Sequence, residues 1–455
     1  MSKQNFNMKR NSLLGLVGIA ALAAAQLSGP VGPKTTRDTK AAKKVCNILE
    51  FGGVASATTD NSDAILKAWE ACKSGGQVLI PSGSFGLEKW VDLAGGNGVA
   101  INLEGIIFRI SSTTDTGTMI SVQSTDDFEF YSANSKGAVQ GYGYEFHKQN
   151  KYGPRILRLT KVTNFSVHDV ALVDSPAFHL TIDSSANGEV YNLIIHGGDR
   201  GGLDGIGLWG NNIHVHDVEV SNRDECVTVK SPAQDILVES IFCNLSGGCA
   251  IGSLGVDTNI TRVTYQNIYT QNSNQMLMIK SNGGSGFFND ALFTNFTGHS
   301  NAYTLNLDSA WAQREPEPGW GVEYDRITFS NWAGTCLDGT RRAPIQLFCP
   351  EELLCGNMQV NNFNVWTQNG SQVLYKCQNA YGIGACMNQF PGNGAYTSTM
   401  TVKSMETARY AIQTMPGEIT KGLGITTSIA IPAVPTTFYP NLTPKSPLMA
   451  KPTPN

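Results

Sequence analysis

Between Phe165 and His299 the chain repeats itself. The stretches FSVHDVALVDS (from Phe165), VYNLIIHG (Val190), IHVHDVEVSN (Ile213), ILVESIFCN (Ile236), VTYQNIYTQN (Val263) and ALFTNFTGHS (Ala291) begin 25, 23, 23, 27 and 28 residues apart. Each carries β-branched or apolar residues at alternate positions, then a polar turn, then a second short strand such as GIGLW, CVTV, AIGSL, LMIKS or YTLNL. A unit this short has no room for a crossover helix and cannot bury its apolar side alone. Stacked on the next copy it can, each strand pairing in parallel with its successor. The period therefore predicts an all-β chain wound as a right-handed, single-stranded parallel β-helix. A β-sandwich or propeller would need hairpin turns, and Asn-Gly or Asp-Gly pairs are not placed regularly between these strands.

A solenoid needs its open end covered. Residues 57–75 fit a short N-terminal capping helix, with Asn61 or Ser62 as cap, Ile65, Leu66 and Trp69 on one side and Gly75 as the stop. Ahead of it, Lys9 and Arg10 precede an apolar run from Leu13 to Ala25 ending in Ala23-x-Ala25. That run is too short to span a bilayer, so residues 1–25 read as a secretory signal rather than an uncleaved anchor. Residues 26–424 are then the β-helix. Residues 425–455, rich in Thr and Pro, form an extended tail open to O-glycosylation.

Ten cysteines and six N-x-S/T sequons, at Asn164, Asn244, Asn259, Asn295, Asn369 and Asn441, agree with an extracellular destination. Cys349/Cys355, Cys377/Cys386, Cys226/Cys243 and Cys46/Cys72 are spaced for local staples, which leaves Cys249 and Cys336 either paired together or free. A net charge of −4 with no basic run argues against a nucleic-acid partner, and no segment after the signal is apolar enough to cross a membrane. No C-x-x-C accompanies a histidine cluster, and no glycine-rich phosphate loop or serine elbow occurs. Neither metal nor cofactor is expected, and the chain is expected to act as a monomer.

The stretch NRDECVTVKS (222–231) sets Asp224 and Glu225 side by side ahead of a strand. Aligning the second strands on Ile206/Leu208, Val227/Val229, Cys249/Ile251 and Leu277/Ile279 stacks Asp204 and Glu225 on adjacent coils, about 4.8 Å apart. Lys280 follows Ile279 and faces outward. Carboxylates this crowded cannot all ionise freely, so one should hold its proton near neutral pH. A protonated carboxyl beside ionised ones suits glycoside hydrolysis, one group protonating the leaving oxygen while the others activate water. A lone acid here would be an ordinary turn residue; three acids converging beside a lysine are not. His299, in a turn one coil beyond Lys280, could reach the same patch. Trp209, directly after the Asp204 strand, and Trp311 and Trp320, in a long insertion, could stack on sugar faces, although core packing also uses such rings. His168, His214 and His216 lie in strand runs, as surface or ladder residues.

In these residues the sequence resembles the polygalacturonase family of glycoside hydrolases, family 28. GLDG around Asp204, RDEC, SGGCAIGS and MIKS stand in the order and spacing of that family's N-T-D, D-D, G-H-G and R-I-K motifs. The resemblance implies an inverting hydrolase of pectin on a pectin-lyase-like β-helix. It implies Asp224 as general acid, Asp204 and Glu225 as the pair that holds and deprotonates water, and Lys280 as a substrate-binding group. Four positions depart from the pattern: Gly202 for Asn, Glu225 for Asp, Gly247 for His and Met278 for Arg. An arginine is the natural bidentate partner of a uronate carboxylate, so Met278 implies a subsite for a sugar without one. This is similar to the rhamnogalacturonan-hydrolase branch, which cuts the α-1,2 bond between galacturonic acid and rhamnose. Rival readings are a polygalacturonase, a xylogalacturonan-specific or exo-acting relative, a pectic lyase and a non-catalytic glycan-binding β-helix. With Gly247 in place of histidine, His299 becomes the candidate replacement.

Overall fold

In the computed structural model, the described residues are 27–392, 394–403 and 423–439, with 412, 414, 415 and 417–419 between the last two segments. The signal segment and Asn441 lie outside them. The chain winds into a right-handed parallel β-helix, with strands of successive coils paired in parallel along columns that share one sheet network. One column runs Val91–Ala94, Thr118–Gln123, Arg155–Thr160 and on through the first residues of Leu180–His196, Ile206–Ser221 and Glu225–Asn244 to Gly248–Leu254, Leu277–Ser281 and Leu305–Asp308. This column carries the site described below.

Ile213, Ile236, Val263 and Ala291 share one register along the stack, as the repeat predicts. Val190 does not join them: Phe165 pairs with Gly188 instead, a slip of two residues. The Phe165 ring fills the space a Gly188 side chain would take, within 2.1 Å of an added Cβ. The apolar mass of that rung therefore belongs to its neighbour, which is why the hydrophobic pattern misplaces it.

Corners are made by residues in the left-handed region, among them Asn164, Asn187, Asn212 and Asp235 on successive coils. Asn and Asp tolerate that conformation better than other side chains. They also bond along the stack: Asn212 Nδ2 donates to Asn187 Oδ1 at 2.9 Å, and Asn187 Nδ2 to Asn164 Oδ1 at 3.2 Å.

The helix Ser62–Cys72 closes the N-terminal end, burying Ala64, Ile65, Ala68 and Trp69, and Cys46–Cys72 ties it to the first strand. Cys226–Cys243, Cys349–Cys355 and Cys377–Cys386 are also bonded, while Cys249 and Cys336 are free and buried. At the other end the strand Thr397–Val402 adds antiparallel to Val373–Gln378. The described part of the tail, residues 425–439, is docked. Gln140 donates to the Ile429 carbonyl and Phe438 packs against Phe242 and Tyr269, and just ahead of the tail the Ile419 carbonyl accepts from Asn244. That contact buries the sequon residue Asn244, whereas Asn259, Asn295 and Asn369 are exposed. No helix among the described residues is long and apolar enough to cross a membrane.

Candidate active site

The rung alignment places the acids together. Ile206 pairs with Val227 and Leu208 with Val229, and Ile251 then pairs with Ile279. Upstream of these pairs the corner is tied by Gly205 N–H to the Glu225 carbonyl (2.8 Å) and Gly247 N–H to the Asp224 carbonyl (2.6 Å). One carboxylate oxygen from each of Asp204, Asp224 and Glu225 lies within 4.8 Å of the other two. They open into a cleft of ≈ 550 Å³, whose walls include Tyr152, Phe178, Met278 and Trp311.

Two lysines share this patch. Lys280 Nζ is ion-paired with Glu225 and lies 4.4 Å over the Trp311 ring. Lys230 Nζ stands 3.2 Å from Asp204 Oδ2 and 5.0 Å over the Phe178 ring. Among the described residues Asp224 has no ion-pair partner of its own. It accepts hydrogen bonds from the Gly202 and Glu225 amides.

This asymmetry sorts the protons. Burial, then the neighbouring Glu225 charge, raises Asp224 well above the usual carboxyl range. Burial and the Glu225 charge also lift Asp204 to about 6, with Lys230 and Lys280 opposing. Glu225 is equally buried, which would raise it, but the hydrogen bond shared with Asp224 and the Lys280 ammonium overcome that and hold it at about 2. Asp224 is thus the proton-holder and Glu225 the anion. Two of these three carboxyls, Asp204 and Glu225, are ion-paired with Lys230 and Lys280.

Two of the departures from the family pattern have a steric cause. Gly202 sits at φ +77°, and an added Cβ would come within 2.9 Å of the Tyr152 ring. A Cβ on Gly247 would come within 2.6 Å of the Asp224 carbonyl carbon, so no histidine fits there without moving the acid. His299 does not replace it. The strand Gly286–Asn301 carries His299 to the side covered by the tail, where its ring lies 5.7 Å from that of Tyr269, and it does not line the cleft. Trp209 is also outside the cleft, half-buried, bonded through its indole to Asp183. The ring that does line it is Trp311, whose amide donates to the Ser281 carbonyl at 2.9 Å and so pins the insertion over Lys280.

Lys230 is the residue that motif reading passed over. Its signal was present: Lys230 follows Val229 as Lys280 follows Ile279, in register through Ile251.

Comparisons with known proteins give the family and the fold. Rhamnogalacturonase A of Aspergillus aculeatus is 53% identical over 441 residues, 97% of this chain and 100% of that protein. Rhamnogalacturonase A of Aspergillus niger is 51% identical over 437 residues, 96% and 97% of the two chains. Among solved structures, the endo-xylogalacturonan hydrolase from Aspergillus tubingensis superposes with a TM-score of 0.66 at 20% identity, covering 76% of this chain and 100% of that one. The polygalacturonase from Erwinia carotovora does so at 0.54 and 18%, over 75% and 97%. These two share the fold. The profile described as Glycosyl hydrolases family 28 matches residues 72–387, and with relatives half identical along nearly the whole length, the chain belongs to that family.

Proposed function

We propose that this chain is a secreted, monomeric endo-hydrolase that cleaves the galacturonosyl-α-1,2-rhamnose bond of the rhamnogalacturonan backbone. The observation that carries the chemistry is three stacked carboxyls beside two lysines in an open cleft, an arrangement that favours the proton on Asp224 and the charge on Glu225. Asp224 gives its proton to the glycosidic oxygen as the bond from the anomeric carbon breaks. A water held between Asp204 and Glu225 attacks that carbon from the other side and passes its proton to one of them. Two observations support rhamnogalacturonan as the substrate: the names of the half-identical relatives, and Met278 in the cleft wall. The apolar Met278 side chain suits the methyl of a deoxy sugar rather than a carboxylate.

Incubation with rhamnogalacturonan and with homogalacturonan tests this. New reducing ends on the first polymer only, without unsaturated absorbance, support it. Cleavage of homogalacturonan at an equal rate, or an unsaturated product, refutes it. One measurement favours a different stereochemical course, retention: inverting pairs stand about 6.5–9.5 Å apart and retaining pairs about 5–5.5 Å, whereas nearest oxygens here lie within 4.8 Å. Nearest-atom distances understate the separation of whole carboxyl groups, and an ammonium on Glu225 blunts it as a nucleophile, so we hold to inversion. Proton NMR during early turnover reads the first-formed anomer and decides.

A further inference from the structure

The sheet column that carries the acids has a second hollow nearer its N-terminal end. It measures ≈ 430 Å³, and its walls include Trp90, Asp92, Ser121, Gln123, Arg158 and Thr160. The outward residues Asp92, Ser121 and Arg158 stack on three consecutive rungs. From Arg158 the register continues through Thr181 and Gly207 to Thr228, on the coil that Glu225 begins. Arg158 is therefore three rungs from the catalytic coil on the same face, about 14 Å along the axis.

The chemistry of this hollow matches a sugar acid. Arg158 uses one terminal nitrogen, Nη2, on Asp183; among the described residues its other terminal nitrogen has no protein acceptor, and the side chain stays 32% exposed at the hollow. Asp183 is itself held by the Trp209 indole and Ser184, and although burial raises it, these bonds and Arg158 keep it ionised. A guanidinium with a donor to spare takes a second carboxylate, whereas a fully engaged one does not. Trp90 is half-buried and fixed by its indole N–H to the Thr116 carbonyl at 2.7 Å, which leaves a rigid ring beside the hollow. Asp92, approached by the Gln123 amide at 3.4 Å, offers acceptors to hydroxyls. An apolar ring, a cation and a hydroxyl acceptor are what a pyranose uronate presents partners for.

We propose that this hollow is a distal subsite for a galacturonate of the same polysaccharide chain whose backbone is cut three rungs away. Arg158 takes the carboxylate and Trp90 the sugar face. The proposal rests on the reading of this chain as a rhamnogalacturonan hydrolase. It gives Trp209 a positioning role, holding Asp183 and through it Arg158, in place of direct contact at the cleft.

The test is kcat/KM across rhamnogalacturonan oligosaccharides of increasing length, for wild type, Arg158→Gln, Arg158→Lys and Trp90→Ala. Wild type should gain once the oligomer is long enough to reach the hollow, about 14 Å from the catalytic coil. In Arg158→Gln the ratio of long-oligomer to short-oligomer kcat/KM should fall about tenfold, through KM, as a charge-assisted hydrogen bond to the ligand is lost. Arg158→Lys should recover part of the ratio, and Trp90→Ala should lower it. An unchanged ratio overturns the subsite. So does an equal loss on long and short oligomers, which marks structural damage. A wild type that cleaves no rhamnogalacturonan oligomer at any length overturns the functional reading itself, and with it the subsite.

Discussion

Two stacks of buried acids run along the described part of this solenoid, and only one of them, which we propose as the reaction centre, borders the cleft. On the side crossed by the N-terminal segment, Glu129, Glu189 and Glu239 lie under a ladder of rings in which His168, Tyr191 and His216 stack at 4.5 and 5.3 Å. Every acid there has a base. His168 sits between Glu129 (2.9 Å) and Asp169 (2.6 Å), His216 between Glu189 (3.1 Å) and Asp217 (2.8 Å), and His214 on Glu239 (3.0 Å). Burial would lower both flanked histidines, but the carboxylates on either side lift His168 and His216 above their ordinary value. Lys40 closes the stack on Asp127 at 3.0 Å. In the cleft the rung spacing is the same, but three carboxyls share two ammonium groups and the third acid opens to solvent. Stacking alone thus carries no chemistry; a missing counter-charge beside an open space does.

The sharpest way to break the comparison is to remove one acid from each stack. Asp224→Asn should cut kcat by about 10²–10⁴-fold while oligomer binding persists. Its melting temperature at pH 7 should be equal to wild type or higher, since an ionisable group held against its charge is lost. A variant with full turnover would mean that Asp224 is not the acid. Glu189→Gln should do the reverse. It strips one partner from a buried pair and should cost about 3–5 kcal/mol in denaturant unfolding, with turnover per folded molecule unchanged. Loss of activity without loss of stability would mean the ladder is not merely structural.

Changing a counter-charge instead of an acid gives a smaller effect. Lys230 lowers Asp204 against burial and the Glu225 charge. In Lys230→Met, Asp204 should therefore need a higher pH to ionise. The acidic limb of the kcat/KM profile should move upward, with a loss of roughly 3–10-fold below about pH 6 that shrinks as pH rises and vanishes only above the variant's own raised pKa. A uniform loss at all pH values would assign Lys230 to substrate binding alone. The wild-type profile itself should be bell-shaped, rising as the water-holding pair ionises and falling as Asp224 gives up its proton.

The contrast between the stacks also shows what the sequence could and could not reveal. Rung equivalence was legible because apolar residues alternate with a period of two, and that placed Asp204, Glu225 and Lys280 together. It failed at Val190, where a ring from one rung fills the glycine of the next. His299 was misplaced because its strand continues through what the sequence presents as a turn, which carries the ring under the tail. Trp209 was placed by strand proximity, yet its rung leads away from the cleft, whereas Trp311 arrives from an insertion whose path depends on the Ser281 carbonyl. No periodicity encodes such a path. The tail's docking was hidden for a related reason: its Pro- and Thr-rich composition resembles a free linker, and scattered residues such as Ile429, Ile431, Val434, Phe438 and Tyr439 mark the side that meets the sheet.

The segment that leads into the tail supplies a third case, intermediate between the stacks, and the smallest expected effect. Glu219 is buried in the sheet beneath it, near Glu418. Burial and the Glu418 charge push Glu219 up to about 8, with the Gly417 amide opposing. A carboxyl raised in the folded state binds a proton that the unfolded chain has already released. Stability from this group is therefore lost as pH rises from the ordinary value of 4.5 towards about 8, and changes no further beyond that. Glu219→Gln removes the ionisation while keeping the shape. Its melting curve should match wild type near pH 4 and lie higher at pH 8, by roughly 1–3 °C for a chain of this size. Equal differences at both pH values would mean that Glu219 is not held protonated by its burial, and that the charge of Glu418 does not reach it.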